Sequence, residues 1–503
     1  MKDGRGASRR RSSGFVALAL AAAATASFAC DRKGRPAASS SPITLRVGVA
    51  QFSATSPIAG LKQLTQNLSV ENLARGGEDG RMQPWLAEAW QLSADGRLLT
   101  VKLRSGVKFT DGTQFDAPTA AKMLPDAVRR SFGSMFEDVE GVEPSGLDNL
   151  TIRFRRASMF HLEALESSIV KPGSNVGTGV YETIADSASE LRANPEYYLG
   201  PPQIERITVS NYPSLRAAWA EALRNNLDML YEVGPDALDS MERSTTISTF
   251  VFTRPYQHVM VLNARAKALR SIEFRQALNA AIDRAALVRS ALNGHGIVSS
   301  GPISPKYWAL PEDVHEFKFD AGRAVELTDR ASRTAEQKLH FTCLAVPNTV
   351  NERVALEIKR QLATFGIDMA IESVSQEDIL RPAAKGGYEA ALLELVSGPT
   401  LLRPYIVWSS ASAFNLGGFG NATVDTALTR ARNAVTEDDY RNAVAGVQQA
   451  FMDDPPAIFL AWSQRARAVS KRFTVPSAEP GRDILATLRL WKPIADDRHA
   501  TRN

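Results

Sequence analysis

Histidine and cysteine, the side chains most often used for metal binding and nucleophilic catalysis, are scarce in this chain of 503 residues. The 6 histidines lie at positions 161, 258, 295, 315, 340 and 499, with no i, i+4 pair and no carboxylate at metalloprotease spacing. The sequence also lacks a G-x-S-x-G nucleophile elbow and the Gly-rich loop that cradles nucleotide phosphates. From these absences we expect that the protein uses no metal ion and no cofactor, and that it binds a molecule and does not catalyse a reaction. A secreted hydrolase with catalytic groups scattered along the chain stays open as an alternative.

The remaining candidates for catalysis have structural explanations. Cys343 lies in Leu339–Leu344, an alternating strand-like run, so we expect a buried structural thiol and not half of a Cys–His nucleophile pair. Asp453 and Asp454 precede two prolines, which is typical of a solvated helix end and not of a catalytic carboxylate pair.

Strand-like and helix-like segments alternate along the chain, which predicts an α/β or mixed fold. Ile43–Ala50 is a β-branched, alternating strand, and Trp90–Leu103 is a hairpin that turns at Asp95-Gly96. Pro84–Trp90 is helix-like, and one helical face continues from an N-cap at Ser271 to Gly294. Further helices are predicted over Asn351–Phe365 and Asn421–Met452, and further strands over Thr151–Phe154 and Ile204–Val209.

The formal charge of +4 belongs to the first 29 residues. Five of the 59 basic residues and one of the 55 acidic residues lie there, which leaves 54 of each in the rest of the chain. A neutral body gives no electrostatic reason to expect nucleic acid or an acidic membrane surface as a partner. Arg9-Arg10-Arg11 precedes an apolar run from Phe15 to Ala29, which is typical of a secretory signal and too short for a membrane span.

The residues around Cys30 resemble the processing site of a bacterial lipoprotein, in which the cysteine is acylated and becomes the new N-terminus. We therefore predict a signal peptide over 1–29, a lipid anchor at Cys30 and a flexible, Pro- and Ser-rich tether over 30–42. Ordinary cleavage nearby, with Cys30 as a bystander, and export by the twin-arginine route are the alternatives. Either way, the protein is expected in the periplasm or the cell envelope.

Five motifs occur in order between about residue 43 and residue 490. They are WLAEAWQLSADGRLLTVKLRSGVKFTDGTQFDAPTAAKML at Trp85–Leu124, GTGVY at Gly177–Tyr181 with NPEYY at Asn194–Tyr198, VLN at Val261–Asn263 with FRQALNAAIDR at Phe274–Arg284, NLGGFGNATVD at Asn415–Asp425, and AIFL at Ala457–Leu460. In this order they resemble the family 5 extracellular solute-binding proteins, the peptide- and nickel-binding receptors of ABC importers. By residue type the motifs are turns and helix faces, so they identify a fold and not a site.

The resemblance implies an architecture of two lobes joined by two crossing strands, with an extra domain inserted in the first lobe. Carried over to this chain, the first lobe comprises 43–60, 171–256 and 466–495, the inserted domain 61–170, and the second lobe 257–465. The solute then lies in the cleft between the lobes. Hinge closure buries it, and the closed form is what the permease recognises.

The resemblance also suggests where ligand-binding residues lie, and such a cleft mixes aromatic platforms with a few polar anchors. The candidates are Gln51 and Phe52 after the first strand, Tyr256 and His258 at the first crossover, and Glu394, Arg403, Trp408, Phe414 and Asn415 in the second lobe. For each aromatic residue, and for His258, a place in the core is an equal alternative.

One position departs from the peptide-binding members, whose second lobe carries an aspartate that pairs with the peptide ammonium. In Tyr388–Pro399 the register places Gly398 where that acid stands. Recognition of a free N-terminus is therefore in question, because a buried ammonium without a carboxylate is costly. Glu394, from the same strand end, is one substitute for the acid, and Arg403 offers an anchor for an anionic group instead.

The resemblance thus implies a receptor, not an enzyme, that captures a peptide-like or other small solute and passes it to ABC permease subunits with a separate ATPase. It implies a monomer that meets the membrane only through the lipid anchor and uses no cofactor. A nickel- or haem-type receptor, or one for another non-peptide solute, stays open, although the few histidines disfavour a metal.

Overall fold

The structure, a computed structural model, describes the chain from Pro42 to Ile494 with short interruptions. The described residues are 42–50, 59–133, 138–184, 187–334, 339–375, 378–379, 387–412, 414–415, 417–478 and 482–494. The predicted signal peptide, Cys30, most of the predicted tether and the candidates Gln51 and Phe52 lie outside these ranges. None of the described helices has the length and hydropathy that a membrane span requires.

The strands of the described residues form one large sheet and several small ones. They are β1 (Thr44–Ala50), β2 (Glu71–Asn72), β3 (Ala74–Gly76), β4 (Met82–Pro84), β5 (Ala87–Leu92), β6 (Leu98–Leu103), β7 (Val139–Ser145), β8 (Asn149–Phe154), β9 (Ser168–Ile169), β10 (Tyr181–Ile184), β11 (Ser187–Ala193), β12 (Arg206–Tyr212), β13 (Met229–Val233), β14 (Ile247–Leu262), β15 (Gly296–Val298), β16 (His340–Ala345), β17 (Asp368–Ser373), β18 (Ala390–Val396), β19 (Ala457–Ser470), β20 (Phe473–Thr474) and β21 (Lys492–Pro493).

The helices alternate with these strands, as an α/β protein requires. They are α1 (Ala59–Ser69), α2 (Ala117–Phe132), α3 (Leu215–Leu223), α4 (Leu238–Glu242), α5 (Ile272–Ala280), α6 (Arg284–Ala291), α7 (Ala321–Thr334), α8 (Thr349–Ala363), α9 (Leu402–Trp408), α10 (Ala422–Asn433) and α11 (Glu437–Asp453), with 3₁₀ helices at Met159–Glu166, Lys267–Leu269 and Ile484–Leu490.

The large sheet runs through both lobes in the order β10-β11-β12-β1-β13-β19-β14-β18-β16-β17, with β15 paired to β19. Its two longest strands, β14 and β19, are antiparallel partners from Ile247 opposite Ser470 to Val261 opposite Ala457. The register shifts between Thr253 and Gln257, so one half of each strand belongs to each end of the sheet. These are the two crossing strands that the family resemblance implies, and their shift in register marks the hinge.

The predicted inserted domain contains a four-stranded antiparallel sheet in the order β5-β6-β8-β7, covered by α2. Its core continues into the second lobe, because Phe160 packs edge-on against Tyr405 and Tyr440 with ring centroids 5.9 and 6.4 Å apart. Helix α1, which the sequence placed at the start of the inserted domain, instead packs on β1, β10 and β11 of the first lobe. The exact lobe boundaries stay a prediction.

Several sequence predictions are confirmed in the elements. The first strand is β1, the hairpin is β5–β6 with Gly96 at a positive φ of 66°, and the helix predicted from Asn351 is α8. Cys343 is buried in β16, and burial raises the pKa of its thiol to about 12, which suits a structural thiol.

Three other predictions are wrong. Pro84–Trp90 is not helical, because most of it pairs as β5 with the half-buried strand β6 and this pairing overrides an alanine-rich helix propensity. The two long helices are each divided in two. Asp283 accepts a hydrogen bond from Ala286 N and starts α6, and Thr436 accepts one from Asp439 N and starts α11.

Candidate functional site between the lobes

A cavity of ≈ 590 Å³ lies where the two lobes, the hinge strands and the inserted domain meet. Its volume suits a small solute. We refer to it as the interlobe cavity. Its wall is drawn from every part of the molecule and includes Tyr231, Phe252, Arg254, Tyr256, Arg403 and Trp462.

The first-lobe wall is a pair of aromatic rings held by a buried arginine. Arg467, 3% exposed, lies with its guanidinium 4.0 Å from the Tyr231 ring centroid and 4.6 Å from that of Phe252. Its Nη2 donates to Asp483 Oδ2 at 2.6 Å and its Nε to Oδ1 at 3.1 Å, and it also donates to the Tyr231 carbonyl. The bidentate pair fixes the guanidinium plane against both rings, so the platform is rigid before a solute arrives.

Four alternating charges bridge the lobes beside the cavity, and we call them the hinge ring. Glu232 comes from β13 of the first lobe, Arg254 and Arg465 from the crossing strands, and Glu394 from β18 of the second lobe. Arg254 lies 3.4 Å from Glu232 and 3.5 Å from Glu394. Arg465 lies 3.3 Å from Glu232 and 3.1 Å from Glu394. Each charge therefore has two neighbours of opposite sign, and each arginine contacts one acid from either lobe.

The electrostatics of Glu394 follow from this ring. Burial alone would raise the pKa of this carboxyl, but the charges of Arg465 and Arg254 outweigh burial and lower it to about 2. Glu394 thus already has two cations and is not free to bind another. Glu394 does not line the cavity, and its role as a ligand anchor stays a prediction.

The structure brings Tyr256 and Arg403 together in the cavity wall. Arg254 lies 4.0 Å from the Tyr256 ring centroid, which holds that ring as a second aromatic platform. His258 faces inward instead and is 2% exposed. Neither of its ring nitrogens has a hydrogen-bond partner among the described residues, and burial lowers the pKa of this histidine. His258 is therefore neutral and lies in the core.

The other second-lobe candidates lie away from the cavity. Trp408 is 3% exposed and packs edge-on against Phe451 and Phe459 in the core. Phe414 is 66% exposed. The Asn415 amide donates to Phe419 O at 2.5 Å and to Ser409 O at 3.3 Å, so this side chain shapes its own loop.

Comparison with known proteins agrees with this two-lobed geometry. Residues 81–415 match the profile of the family described as bacterial extracellular solute-binding proteins, family 5 Middle. This is two thirds of the chain and includes the hinge strand β14 and most of the cavity wall. The chain belongs to this family.

Relatives of this solute-binding protein are distant but extend along most of it. The oligopeptide-binding protein AppA of Bacillus subtilis is 22% identical over 471 residues, which cover 85% of this chain and 86% of AppA. The nickel-binding periplasmic protein of Escherichia coli is 24% identical over 345 residues, covering 63% and 64%.

Solved structures share its fold. NikZ from Campylobacter jejuni, in complex with Ni(L-His), superposes with a TM-score of 0.75 at 20% identity, covering 90% of this chain and 99% of NikZ. AppA from Bacillus subtilis, in complex with a nonapeptide, gives a TM-score of 0.70 at 20% identity, covering 90% and 100%. At this identity the likeness concerns the fold alone, which is the two-lobed α/β fold of solute-binding proteins.

In this solute-binding protein the position of Gly398 is closed to a side chain. Gly398 lines the interlobe cavity, and a Cβ on it would lie 2.9 Å from Cη2 and Cζ3 of Trp462. Trp462 is 2% exposed and comes from β19. The indole therefore fills the space beside Gly398, and no acid can stand there unless the ring moves.

Sequence reasoning missed two acids of the 3₁₀ helix that line the cavity. Glu163 and Glu166 belong to the 3₁₀ helix Met159–Glu166 of the inserted domain, and three residues per turn place them on one face. Burial, and next the charge of Glu166, raise the pKa of Glu163 to about 8. Burial also raises the pKa of Glu166. Their spacing is visible in the sequence, but only the fold shows that this face meets the cleft.

A second cavity of ≈ 1620 Å³ is larger, but none of the second-lobe residues that the structure describes lines it. Closure of the two predicted lobes would not enclose a solute there, which favours the interlobe cavity as the candidate site. The second cavity is bordered by Glu71, which is 7% exposed and accepts hydrogen bonds from Tyr197 OH at 2.6 Å, Tyr198 OH at 3.2 Å and Thr178 Oγ1 at 2.8 Å. Burial raises the pKa of Glu71 to about 7.

We expect Glu71 to make folding less favourable as the pH rises. The folded protein holds the Glu71 proton up to about pH 7, whereas the unfolded chain releases it near its ordinary pKa of 4.5. Its contribution is therefore full below about pH 4.5 and is lost towards pH 7, a change of about 3 kcal/mol. Chemical denaturation of Glu71→Gln from pH 4 to 8 should lack this decline. Glu196→Gln, at an exposed neighbouring site, should keep it, and a Glu71→Gln profile parallel to wild type would contradict the assignment.

Proposed function

We propose that this protein captures a peptide-like or other small solute in the interlobe cavity and delivers it to the permease of an ABC importer with a separate ATPase. The observation that carries the proposal is that both lobes and both hinge strands form the cavity wall. Such a cavity encloses a solute only when the lobes close, and closure is the signal that a permease can recognise. The oligopeptide- and dipeptide-binding relatives support a peptide-like solute.

Within this proposal Tyr256 and Arg403 contact the solute, and the aromatic platform on Arg467 packs against its apolar part. The lobe assignment is the one drawn from the family, with α1 moved to the first lobe because of its packing on β1 and β10. The protein binds its solute and does not transform it. It acts as a monomer in the periplasm or cell envelope, held through a lipid on Cys30, with no nucleic-acid partner.

The proposal is tested by what the purified protein carries and how it responds. Mass spectrometry of molecules released on denaturation should reveal a small solute. Adding that solute back should raise the melting temperature as RT ln(1 + [L]/Kd) predicts and reduce the radius of gyration in small-angle scattering. The solute should be recovered unchanged after incubation, which separates a receptor from a hydrolase. A protein that carries nothing and shows neither response to a broad library of peptides and metabolites would refute uptake.

A further measurement on the same purified protein separates a peptide receptor from a metal or haem receptor. Metal analysis of the purified protein would reveal a nickel- or haem-type receptor, and the nickel- and haem-binding relatives justify including it. Among the described residues, no group of three His, Cys, Asp or Glu side chains is arranged to hold a metal ion.

A further inference from the structure

The acids of the interlobe cavity differ in whether they form a salt bridge with a basic side chain. Glu78 is paired with Lys306, and Asp483 with Arg467. Glu232 has both arginines of the hinge ring. Within the described residues, Glu163 and Glu166 alone among the lining acids form no salt bridge.

The contacts that these two carboxyls do make are with neutral groups. Glu166 Oε1 accepts from the Gly76 amide at 2.6 Å, and Glu163 binds the Thr400 hydroxyl. Glu163 is only 6% exposed. Burial makes ionisation of Glu163 costly, and the attraction of Arg403 in the same wall is too weak to offset this cost, so the pKa of Glu163 is raised to about 8. A cationic group in the cavity would remove the cost.

Two donors that face these acids also lack partners. The Arg403 guanidinium attracts both carboxyls electrostatically but forms no hydrogen bond or salt bridge with any described residue, and it lies 5.6 Å from the Phe132 ring centroid. Trp462, 2% exposed, is part of the same wall, and its Nε1–H has no acceptor in the described part of the chain. An unpaired donor this deeply buried points to an acceptor that the protein does not provide.

Glu166 lies close to the turn that follows Gly398. A Cβ on Gly76 would lie 2.8 Å from Glu166 Oε1 and 4.0 Å from Pro399 Cγ, so the carboxylate and the turn after Gly398 flank the same glycine. Trp462 closes the second-lobe position itself. A cation in this part of the cavity therefore meets the inserted domain and not the second lobe.

We infer that the solute is a small zwitterion, with a cationic group bound by Glu163 and Glu166 of the inserted domain and an anionic or carbonyl group bound by Arg403 and the Trp462 indole. The inference rests on the proposed function and names the class of its solute. It also moves cation recognition to the inserted domain, so that domain closes the cleft from a third side.

The test compares what the full-length protein and its variants retain. Each purified protein is denatured, released primary amines are quantified with fluorescamine, and the molecules are identified by mass spectrometry. Wild type should release an amine-bearing acid. Glu163→Gln and Glu166→Gln should bind that solute at least about thirtyfold more weakly, since removing one partner of a buried ion pair is expensive. Arg403→Met should weaken binding as well. Glu437→Gln, an exposed acid outside the cavity, is the matched control and should bind as wild type does.

The outcomes separate the inference from the proposed function. A retained solute without a cationic group, or unchanged binding by both glutamine variants with wild-type melting temperatures, overturns the inference and leaves a solute receptor. If wild type retains nothing, alanyl-alanine and its N-acetyl derivative are compared by thermal shift, and an equal shift overturns the inference. No shift with these or with any library member overturns both.

Discussion

Replacing Arg284 by alanine is expected to lower the free energy of unfolding by about 3 to 5 kcal/mol. The side chain is 3% exposed at the start of α6, and its partners are neutral acceptors. Its Nε donates to Phe459 O at 2.6 Å, and Nη2 donates to Asn279 Oδ1 at 2.8 Å. The Nη1 atom donates to the carbonyls of Asn279 and Ile282 at 3.1 and 3.3 Å. Truncation leaves these acceptors without donors and opens a cavity between α6 and β19.

Urea denaturation followed by circular dichroism measures the effect. Arg289→Ala is the control, because Arg289 lies in the same helix but is exposed. Its unfolding free energy should change by less than about 0.5 kcal/mol. A loss below about 1 kcal/mol in Arg284→Ala would mean that water or a relaxed backbone donates to the acceptors that Arg284 leaves. Arg284 would then not hold the second lobe together.

Replacing Glu394 by glutamine is expected to cost about 3 kcal/mol at pH 7. The variant leaves Arg254 and Arg465 facing Glu232 alone in the hinge ring. Because the pKa of Glu394 is lowered to about 2 in the folded protein, its contribution is present above the ordinary pKa of 4.5. It is lost as the pH falls from there towards 2. The difference between wild type and variant should therefore shrink in acid.

Denaturation of both proteins at a series of pH values between 3 and 7 tests this, with Glu372→Gln as control. Glu372 is an exposed acid on β17, close to β18 in the same sheet, and should show no comparable loss. If Glu394→Gln is as stable as wild type but loses the solute, then the carboxyl is the ligand anchor of our sequence-based prediction. Stability lost to the same extent at pH 3 and pH 7 would show that packing, and not charge, is responsible.

The sequence predicted elements best where a local pattern and its turn agree. The β5–β6 hairpin was predictable from Asp95-Gly96, since few residues adopt the positive φ that this turn needs. Pro84–Trp90 was not, because its strand conformation depends on pairing with β6. The breaks before α6 and α11 were also missed. Asp283 and Thr436 are ordinary polar residues in the sequence, and their capping bonds exist only once the chain turns there.

The candidate site was only partly predictable for a related reason. Tyr256 and Arg403 were expected in the cleft, and both line the cavity. Trp408 was expected with them but is buried in the core. The rotation of its helix about the helix axis decides whether this side chain faces the core or the cleft, and a sequence does not give that rotation. Glu163 and Glu166 were missed because they lie far from every other cavity residue along the chain and belong to a helix with no recognisable motif.

The sequence by itself determined the family and the two-lobed α/β fold, because ordered turn and strand motifs reflect local backbone requirements that act over a few residues. It also showed that the charge of +4 belongs to the first 29 residues and that the rest of the chain is neutral. Only the tertiary structure decided how the charges of that neutral body are arranged around the interlobe cavity. Most lining acids are paired with a base from another element, whereas Glu163 and Glu166 are not, and Trp462 occupies the space beside Gly398. Pairing and exclusion of this kind depend on distances of a few Å between residues hundreds of positions apart, and such distances exist only in the folded protein.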